Sequence, residues 1–230
     1  MTKKEERLLR QQEKLQAECA RLEGMKTYER EYRRYGVLCG IDEAGRGPLA
    51  GPVVAGAVIL PADCEILYLN DSKKLTARRR ELLYDEIMEK AVAVGVGVVD
   101  HEEIDRINIL QATYEAMRQA VAGLGVNPDV LLNDAVTIPG MTQRQVSIVK
   151  GDAKSVSIAA ASVIAKVARD RMMVQMDERY PGYGFASNKG YGSAAHIRAL
   201  KEMGPCEIHR RTFIRNFVQE TEEEGTGFRE

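Results

Sequence analysis

The sequence predicts an α/β fold: a β-sheet with helices on its faces, a helical extension before it and a helical cap after it. Residues 37–149 contain several short runs rich in valine and isoleucine, which are typical of buried strands. Longer segments with apolar residues at helical spacing lie between these runs and dominate the rest of the chain. Strands that come first and helices that accumulate later indicate a sheet that is covered and then capped by helices.

The first element, at residues 2–35, is predicted to be a helical extension. It is highly charged and contains no proline. Its apolar residues form one narrow stripe at helical spacing: Leu8, Leu15, Cys19 and Leu22. Gly24 interrupts the pattern. We expect a helix that packs on the main domain or lies on its surface, and a solvated helix without a catalytic role is the simpler interpretation.

Two strands are predicted next, at 37–42 and 52–61, on either side of a turn. The turn, EAGRGPLAG, holds three glycines and a proline. The pattern then predicts, in order, a helix at 76–91 capped by Thr76, a strand at 91–100, a helix at 108–123, a strand at 129–134, a loop at 135–145 and a strand at 146–149.

The C-terminal part is predicted to be helical. A long helix at 155–180 is rich in small residues, which would let its backbone approach a sheet closely. A loop, NKGYGS, separates it from a helix at 194–203, and a last helix is expected from about 212 to 219. The division into domains is therefore a helical extension at 1–35, a main domain with its helical cap at 36–218, and an acidic tail at 219–230 that we expect to be mobile.

Composition excludes several classes of protein. The 230 residues carry a formal net charge of -1, so bulk charge does not indicate nucleic-acid binding. The four cysteines form no CxxC pair, which argues against a zinc site and a disulfide framework and favours a reducing cytosol. No signal peptide or membrane-spanning run is recognisable. We expect a cytoplasmic protein.

Four acidic residues lie at or just after the ends of predicted strands: Asp42, Glu43, Asp134 and Asp152. Acids at strand ends project from one edge of a sheet, where α/β proteins commonly bind ligands. Any one of them would ordinarily be a solvent-facing turn residue. Four together would repel each other unless a cation were present. Because all the ligands are oxygens, Mg²⁺ and Mn²⁺ are the expected ions, and the sequence does not choose between them.

The pair Asp42 and Glu43 poses a geometric difficulty. Neighbours on a regular strand point to opposite faces of the sheet. The two acids can serve one centre only if the strand has ended or is distorted there. The flanking glycines, Gly40 and Gly45, make a distortion plausible, and we expect one.

The turn that follows, Gly45-Arg46-Gly47-Pro48, is a candidate binding loop. It fits neither a dinucleotide-binding fingerprint nor a Walker A loop. A plain turn is the ordinary interpretation of such a segment. Directly after two metal-type acids, its glycines would let the backbone approach a ligand, and Arg46 would add a charge suited to phosphate.

Basic and polar residues could line a groove that follows a nucleic-acid backbone: Asn70 to Lys74, Lys150, Lys154, Lys166, Arg169 and Asn188 to Gly192. Most surface lysines are simply solvated. Tyr191 differs because its glycine neighbours leave its ring free to stack on a sugar or base. Packing of the ring beneath a loop is an equally good interpretation of the sequence. His209 is interpreted as structural or phosphate-facing.

Several of these segments together resemble the bacterial ribonuclease HII family. They are GIDEAGRGPLAGPVVAGAVIL, NDSKKL, LLNDAV, VKGDAKSVSIAAASVIAKVARD, NKGYGSAAHIRAL and GPCEIHRRTF, in the family's order over about residues 37–217. The resemblance implies a ribonuclease H-like fold with a mixed sheet. It also implies an endonuclease that cuts RNA in RNA–DNA hybrids and nicks DNA duplexes beside single ribonucleotides.

The resemblance assigns roles to individual residues. It implies that Asp42, Glu43, Asp134 and Asp152 are catalytic metal ligands. The motif at Gly45, Arg46 and Gly47 would sense the ribose 2′-hydroxyl, which separates RNA from DNA. Tyr191 would lie against the sugar on the DNA side of the junction, and Lys73 and Lys74 would touch the backbone. This chain departs from the family pattern at two positions. Asn133 stands where many members have valine, and Ser193 stands where threonine is usual.

The resulting hypothesis is hydrolysis assisted by two metal ions. The acids would hold one ion without substrate and two with it, and the products would carry a 3′-hydroxyl and a 5′-phosphate. A two-metal nuclease of the same fold, such as a junction resolvase, is the first alternative. A non-catalytic nucleic-acid-binding module and a nucleotide-binding protein are weaker ones. We expect a monomer, and the sequence names no protein partner.

Overall fold

A computed structural model describes residues 2–218, and the predicted acidic tail lies outside the described residues. A five-stranded sheet forms the centre. Its strands are β1 (Leu38–Ala44), β2 (Val53–Ile59), β3 (Ala93–Val99), β4 (Val130–Asp134) and β5 (Arg144–Ile148), in the spatial order β3-β2-β1-β4-β5. The pairs β1–β2 and β2–β3 are antiparallel, whereas β1–β4 and β4–β5 are parallel. The mixed sheet that the resemblance implies is confirmed.

The parallel pair β1–β4 places two of the predicted acids side by side. Cys39 pairs with Leu131, and Ile41 pairs with Asn133. The next residue on each strand is an acid, Asp42 on β1 and Asp134 at the end of β4. Because parallel strands end at the same edge of a sheet, this register alone brings the two carboxylates to one place.

Helices cover both faces of the sheet. They are α1 (Lys3–Met25), α2 (Thr27–Tyr32), α3 (Ala77–Lys90), α4 (His101–Ile107), α5 (Ile109–Ala122), α6 (Val156–Arg179), α7 (Phe185–Asn188), α8 (Ala194–Met203) and α9 (Arg211–Ile214). None of the helices within residues 2–218 combines the length and apolarity required to span a membrane.

The central helix α6 lies directly on β1 and β2. A Cβ atom at Gly40 would come within 2.1 Å of the Ser157 carbonyl carbon, and one at Gly56 within 2.5 Å of the Ala161 oxygen. Both strands therefore use glycine where the helix backbone meets them. The prediction that small residues let this helix approach the sheet is confirmed, and the close packing fixes the start of α6 beside the ends of β1 and β4.

The N-terminal extension is helical, and only its second half packs on the main domain. Leu22 and Met25 are buried, whereas Leu8 and Leu15 at the other end of the predicted stripe are exposed. Glu29 on α2 accepts hydrogen bonds from the Ser155 hydroxyl and from the Ser157 N–H, at 2.5 and 3.0 Å. The extension therefore helps to cap the start of α6. The interpretation as a purely solvated helix does not hold for this half of the extension.

Two predicted boundaries are wrong, and two short helices were not predicted. β5 begins at Arg144, inside the predicted loop, because its first residues are polar and give no strand pattern. The helix α4 was not predicted, although Asp100 caps it by accepting from the Glu103 N–H. The last helix, α9, ends at Ile214 rather than near residue 219. The short helix α7 was also not predicted, and it ends at Asn188, the first residue of the predicted NKGYGS loop.

Candidate active site

Three of the predicted acids meet at one edge of the sheet. Asp42 comes from β1, Asp134 from the end of β4, and Asp152 from a short helical turn at Gly151–Ala153 that precedes α6. One carboxylate oxygen of each lies within 4.8 Å of the others. Among the described residues, this is the only group of three or more acidic, histidine or cysteine side chains with such spacing.

Backbone hydrogen bonds hold two of the carboxylates in place. The Gly151 N–H donates to Asp134 Oδ1 at 2.7 Å, and the Glu43 N–H donates to Asp42 Oδ1 at 2.7 Å. Each bond leaves the second oxygen of the carboxylate free for another partner. The bond from Gly151 also ties the turn that carries Asp152 to the end of β4.

The electrostatics of the group favour a bound cation. Burial, followed by the neighbouring charges of Glu43 and Asp134, raises the pKa of Asp42 well above its usual range. Burial, followed by the charges of Asp71 and Asp134, also raises the pKa of Asp152. Clustered, desolvated carboxylates are costly to ionise alone, and a hard divalent cation removes that cost. The donor chemistry and the spacing therefore fit a metal ion.

Glu43 lies beside the group rather than within it. β1 continues without distortion through this pair, since Asp42 and Glu43 keep ladder partners in β2. The expected break in the strand is therefore wrong. Glu43 Oε1 instead lies 3.3 Å from Arg46 Nη1. Burial raises the pKa of Glu43, the nearby Arg46 opposes that rise, and the Asp134 charge adds to it.

The positive charge of Lys73 interacts with the carboxylates of this group. Partial burial would lower its pKa, but nearby carboxylates outweigh that effect and raise it: Asp42, Asp71, Asp152 and Glu43. The prediction that Lys73 touches a nucleic-acid backbone remains a prediction, and so does that for Lys74, whose side chain is exposed. Asp71 was predicted only as part of the basic and polar groove segment, not as a neighbour of the acids. Besides burial, its charge raises the pKa of Asp152, and its carboxylate accepts from the Lys73 N–H at 2.9 Å.

The loop that contains Gly45, Arg46 and Gly47 follows directly after β1. Gly45 has φ +98°, and a Cβ atom there would lie 2.1 Å from Arg169 Nε and 2.7 Å from the Pro52 oxygen. Only glycine fits this position, both in conformation and in space. Arg46 and Gly47 are exposed, so the middle of the loop faces solvent next to the acids.

Two buried arginines lie beneath this loop. Arg169 and Arg210 are at most 1% exposed, and their guanidinium groups donate to backbone carbonyls around the loop. The prediction that Arg169 lines a nucleic-acid groove is therefore wrong. Of the other predicted groove residues, Lys166 forms an ion pair with Asp170 at 2.5 Å, which offsets its charge.

Tyr191 stands next to the loop with its ring accessible. Its side chain is 46% exposed, so it does not pack beneath a loop. A Cβ atom built on Gly47 would lie 3.6 Å from Tyr191 Cε1. The ring and the glycine loop therefore form neighbouring parts of one surface, although they are far apart in the sequence.

A buried pair of histidines supports the Tyr191 backbone. His196 Nδ1 donates to the Tyr191 carbonyl at 2.9 Å, and His196 Nε2 lies 3.0 Å from His209 Nε2. The Cys206 N–H donates to His209 Nδ1 at 3.0 Å. One arrangement satisfies all these bonds: both rings are neutral, and His209 donates to His196. His209 is fully buried, which agrees with a structural role and not with a phosphate-facing one.

The histidine pair predicts a loss of stability in mild acid. Burial, followed by the neighbouring His196, lowers the pKa of His209 from 6.5 to about 4. Between these values the unfolded chain binds more protons, so the free energy of unfolding should fall by up to about 3 kcal/mol as the pH drops. We expect the free energy of unfolding, measured by urea denaturation at pH 7 and at pH 5, to fall less for His209→Gln than for the wild type. Equal pH dependence in both proteins would contradict the neutral-pair assignment.

Solved structures with similar folds identify the class of protein. The ribonuclease H2 from Pyrococcus horikoshii OT3 superimposes with a TM-score of 0.66 at 29% identity, covering 79% of this chain and 96% of that one. The ribonuclease HII from Archaeoglobus fulgidus, solved in a complex with PCNA, gives a TM-score of 0.65 at 28% identity over 80% and 98% of the two chains. The fold and the acidic group thus define a nuclease of the ribonuclease H-like fold.

Sequence comparison identifies the family within that class. The family model for Ribonuclease HII matches residues 39–216. The Ribonuclease HII of Lachnoclostridium phytofermentans is 67% identical over 206 residues, which are 90% of this chain and 81% of that protein. The chain belongs to the ribonuclease HII family and is a hydrolase. The resemblance stated from the sequence motifs is confirmed.

Proposed function

We propose that this protein is an endonuclease that cuts the RNA strand of RNA–DNA hybrids and nicks DNA duplexes on the 5′ side of an embedded ribonucleotide. The products would carry a 3′-hydroxyl and a 5′-phosphate. The single observation that carries the proposal is the juxtaposition of three acids with the glycine loop at Gly45–Gly47. The acids are Asp42, Asp134 and Asp152, of which the first and last are buried. In the loop, Arg46 and Gly47 are exposed. The acids provide hydrolytic chemistry, and the loop provides a surface that can distinguish one sugar from another.

The four acids would hold the metal ions. Asp42, Asp134 and Asp152 would bind one divalent ion, Mg²⁺ or Mn²⁺, in the free protein. Glu43 would join them for a second ion when substrate binds. Such ions supply a bound water of lowered pKa and stabilise charge on the phosphate oxygens. Arg46 holds Glu43 at the edge of the group until then.

The residues around the acids would orient the duplex. Lys73 carries its positive charge next to the carboxylates, where a phosphate of the scissile strand would pass. Lys74 is exposed close by and would meet the backbone further along.

Discrimination for ribose would come from the loop and the tyrosine together. Within residues 2–218, the backbone N–H groups of Arg46 and Gly47 have no backbone hydrogen-bond partner, and both residues are exposed. They are available to a 2′-oxygen, which a deoxyribose lacks. Tyr191 offers its ring beside Gly47 for the adjoining sugar.

A pair of duplexes that differ by one 2′-hydroxyl tests this function. One is all DNA, and the other has a single ribonucleotide in an otherwise identical sequence. We expect cleavage of the second only. Equal cleavage of both would favour the alternative, a two-metal nuclease of the same fold that ignores the sugar, such as a junction resolvase.

Truncating Tyr191 tests the role of its ring. Tyr191→Ala should slow cutting at a ribonucleotide by about 10-fold or more, because stacking against a sugar or base is worth about 1 to 3 kcal/mol. Binding of the whole duplex, measured by fluorescence anisotropy, should change less. Tyr191→Phe keeps the ring and is the matched control, expected to cut almost normally. Wild-type cutting rates for Tyr191→Ala would remove the proposed role.

A further inference from the structure

The most unusual feature outside the acids is a set of six hydrogen bonds beneath the glycine loop. Arg169 donates to the carbonyls of Pro52, Lys189 and Ala50 at 2.8, 2.9 and 3.2 Å. Arg210 donates to the carbonyls of Gly51, Arg46 and Gly45 at 2.9, 3.0 and 2.6 Å. Five of the six acceptors belong to the loop between β1 and β2, and every guanidinium nitrogen of both arginines takes part.

Burying two cations side by side is costly. Arg210 is 0% exposed and Arg169 is 1% exposed, and neither forms an ion pair with a carboxylate among residues 2–218. Burial is the largest cause that lowers the pKa of Arg210 to about 9, and the charge of Arg169 is the next. Two apolar side chains would fill this space at less cost. The arrangement therefore needs a reason beyond packing.

The geometry of the peptide group supplies that reason. All peptide bonds among the described residues are trans, so the C=O and N–H of one peptide unit point in opposite directions. The Gly45 carbonyl shares a peptide unit with the Arg46 N–H, and the Arg46 carbonyl shares one with the Gly47 N–H. Since Arg210 holds both carbonyls on the buried side, both N–H groups point outwards. Successive N–H groups on one side of a chain are suited to binding an electron-rich oxygen.

We propose that Arg210 is a positioning residue for ribose discrimination: its guanidinium turns the Gly45–Arg46 and Arg46–Gly47 peptides so that their N–H groups face the substrate's 2′-oxygen. The proposal rests on the proposed function, which it deepens by naming what aligns the loop. A buried positive charge on the carbonyl side also polarises these peptides and strengthens their N–H groups as donors.

Arg169 extends the same support to the second half of the surface. Its Nη1 atom donates to Lys189, next to the Tyr191 segment, while its other two nitrogens hold the loop at Ala50 and Pro52. The Leu49 N–H also donates to the Gly190 carbonyl at 2.8 Å. The two arginines thus fix the glycine loop and the tyrosine loop relative to each other.

The test replaces Arg210 by Lys, which keeps the charge but cannot reach three carbonyls in a fixed fork. Single-turnover cleavage is measured with Mg²⁺ on two DNA duplexes that carry either one ribonucleotide or one 2′-fluoro nucleotide at the same position. We expect the preference of the wild type for ribose to fall roughly 10- to 100-fold in Arg210→Lys, as for a misplaced binding group. Duplex affinity should change far less.

A second variant separates positioning from lost stability. Leu83→Ala removes a buried side chain from the cluster between α3 and α6, away from the loop, and should lower the unfolding temperature without changing the ribose preference. Amide resonances of Arg46 and Gly47 in ¹⁵N spectra should move in Arg210→Lys and stay in place in Leu83→Ala. Unmoved resonances in a folded Arg210→Lys protein would contradict the proposal.

The remaining outcomes are also decisive. A folded Arg210→Lys protein with the wild-type ribose preference would overturn the proposal and leave the proposed function standing. An equal loss of preference in Leu83→Ala would overturn it as well, because general destabilisation would then explain both. If the wild type itself cuts the two duplexes equally, the proposed function fails, and the role of Arg210 fails with it.

Discussion

Replacing Asp42 by Asn is expected to abolish cleavage and, at the same time, to stabilise the metal-free protein. The asparagine keeps the shape of the side chain and an oxygen that can accept from the Glu43 N–H. It removes the negative charge that a divalent ion needs. It also removes a desolvated carboxylate whose pKa is raised by burial and by its acidic neighbours. We expect a gain of about 1 to 3 kcal/mol in the free energy of unfolding at neutral pH.

Two measurements check this pair of effects. Cleavage of a ribonucleotide-containing duplex reports the loss of activity, and urea denaturation in EDTA reports the gain in stability. Adding Mg²⁺ should stabilise the wild type through binding and stabilise Asp42→Asn much less. The exposed Asp63 offers a matched control, since Asp63→Asn changes the net charge equally and should alter neither property. Normal turnover by Asp42→Asn would remove Asp42 from the metal site.

Replacing Gly45 by Ala is expected to cost about 3 to 5 kcal/mol of stability and nearly all ribose-dependent cutting. The residue has φ +98°, which strains any L side chain. Its new methyl group would also collide with the Arg169 guanidinium and the Pro52 carbonyl, both of which are fixed by their mutual hydrogen bond. The loop would have to move, and its exposed N–H groups would move with it.

Gly125→Ala is the control for backbone strain alone. Gly125 also has a positive φ, +67°, but no atom lies within 4 Å of a Cβ built there. We expect it to cost about 1 kcal/mol and to leave cleavage unchanged. Thermal denaturation and cutting rates of the two variants give the comparison. Similar losses in both would mean that the contact with Arg169 contributes nothing at Gly45.

Local patterns in the sequence were sufficient for most of the fold. The valine-rich runs predicted β1 to β4, and the small residues of α6 predicted its close approach to Gly40 and Gly56. Local patterns were insufficient for β5, because its first residues, Arg144 and Gln145, are polar. This strand is stabilised by pairing with β4, and the Asn133 amide donates to the Gln145 side chain at 2.9 Å. Stabilisation by a distant partner leaves no periodic signal in the strand itself.

The candidate site shows the same limit. The positions of Asp42 and Asp134 followed from strand ends, and the parallel register of β1 and β4 brings them together. The expected distortion at Glu43 did not occur, because the ladder with β2 continues past it. Arg169 looked like a groove residue since arginines are usually exposed. Its burial depends on carbonyls more than 100 residues away in the sequence, and no motif in the segment around it reports such contacts.

The most direct test of the proposed function is to map the ends produced from a DNA duplex with one embedded ribonucleotide, in the presence of Mg²⁺ and then of Mn²⁺. The proposal predicts a single nick on the 5′ side of the ribonucleotide, with a 3′-hydroxyl on one fragment and a 5′-phosphate on the other. A nick on the 3′ side that leaves a 2′,3′-cyclic phosphate would contradict it, because the ribose hydroxyl would then be the nucleophile. Cutting at deoxynucleotides at the same rate would contradict it equally.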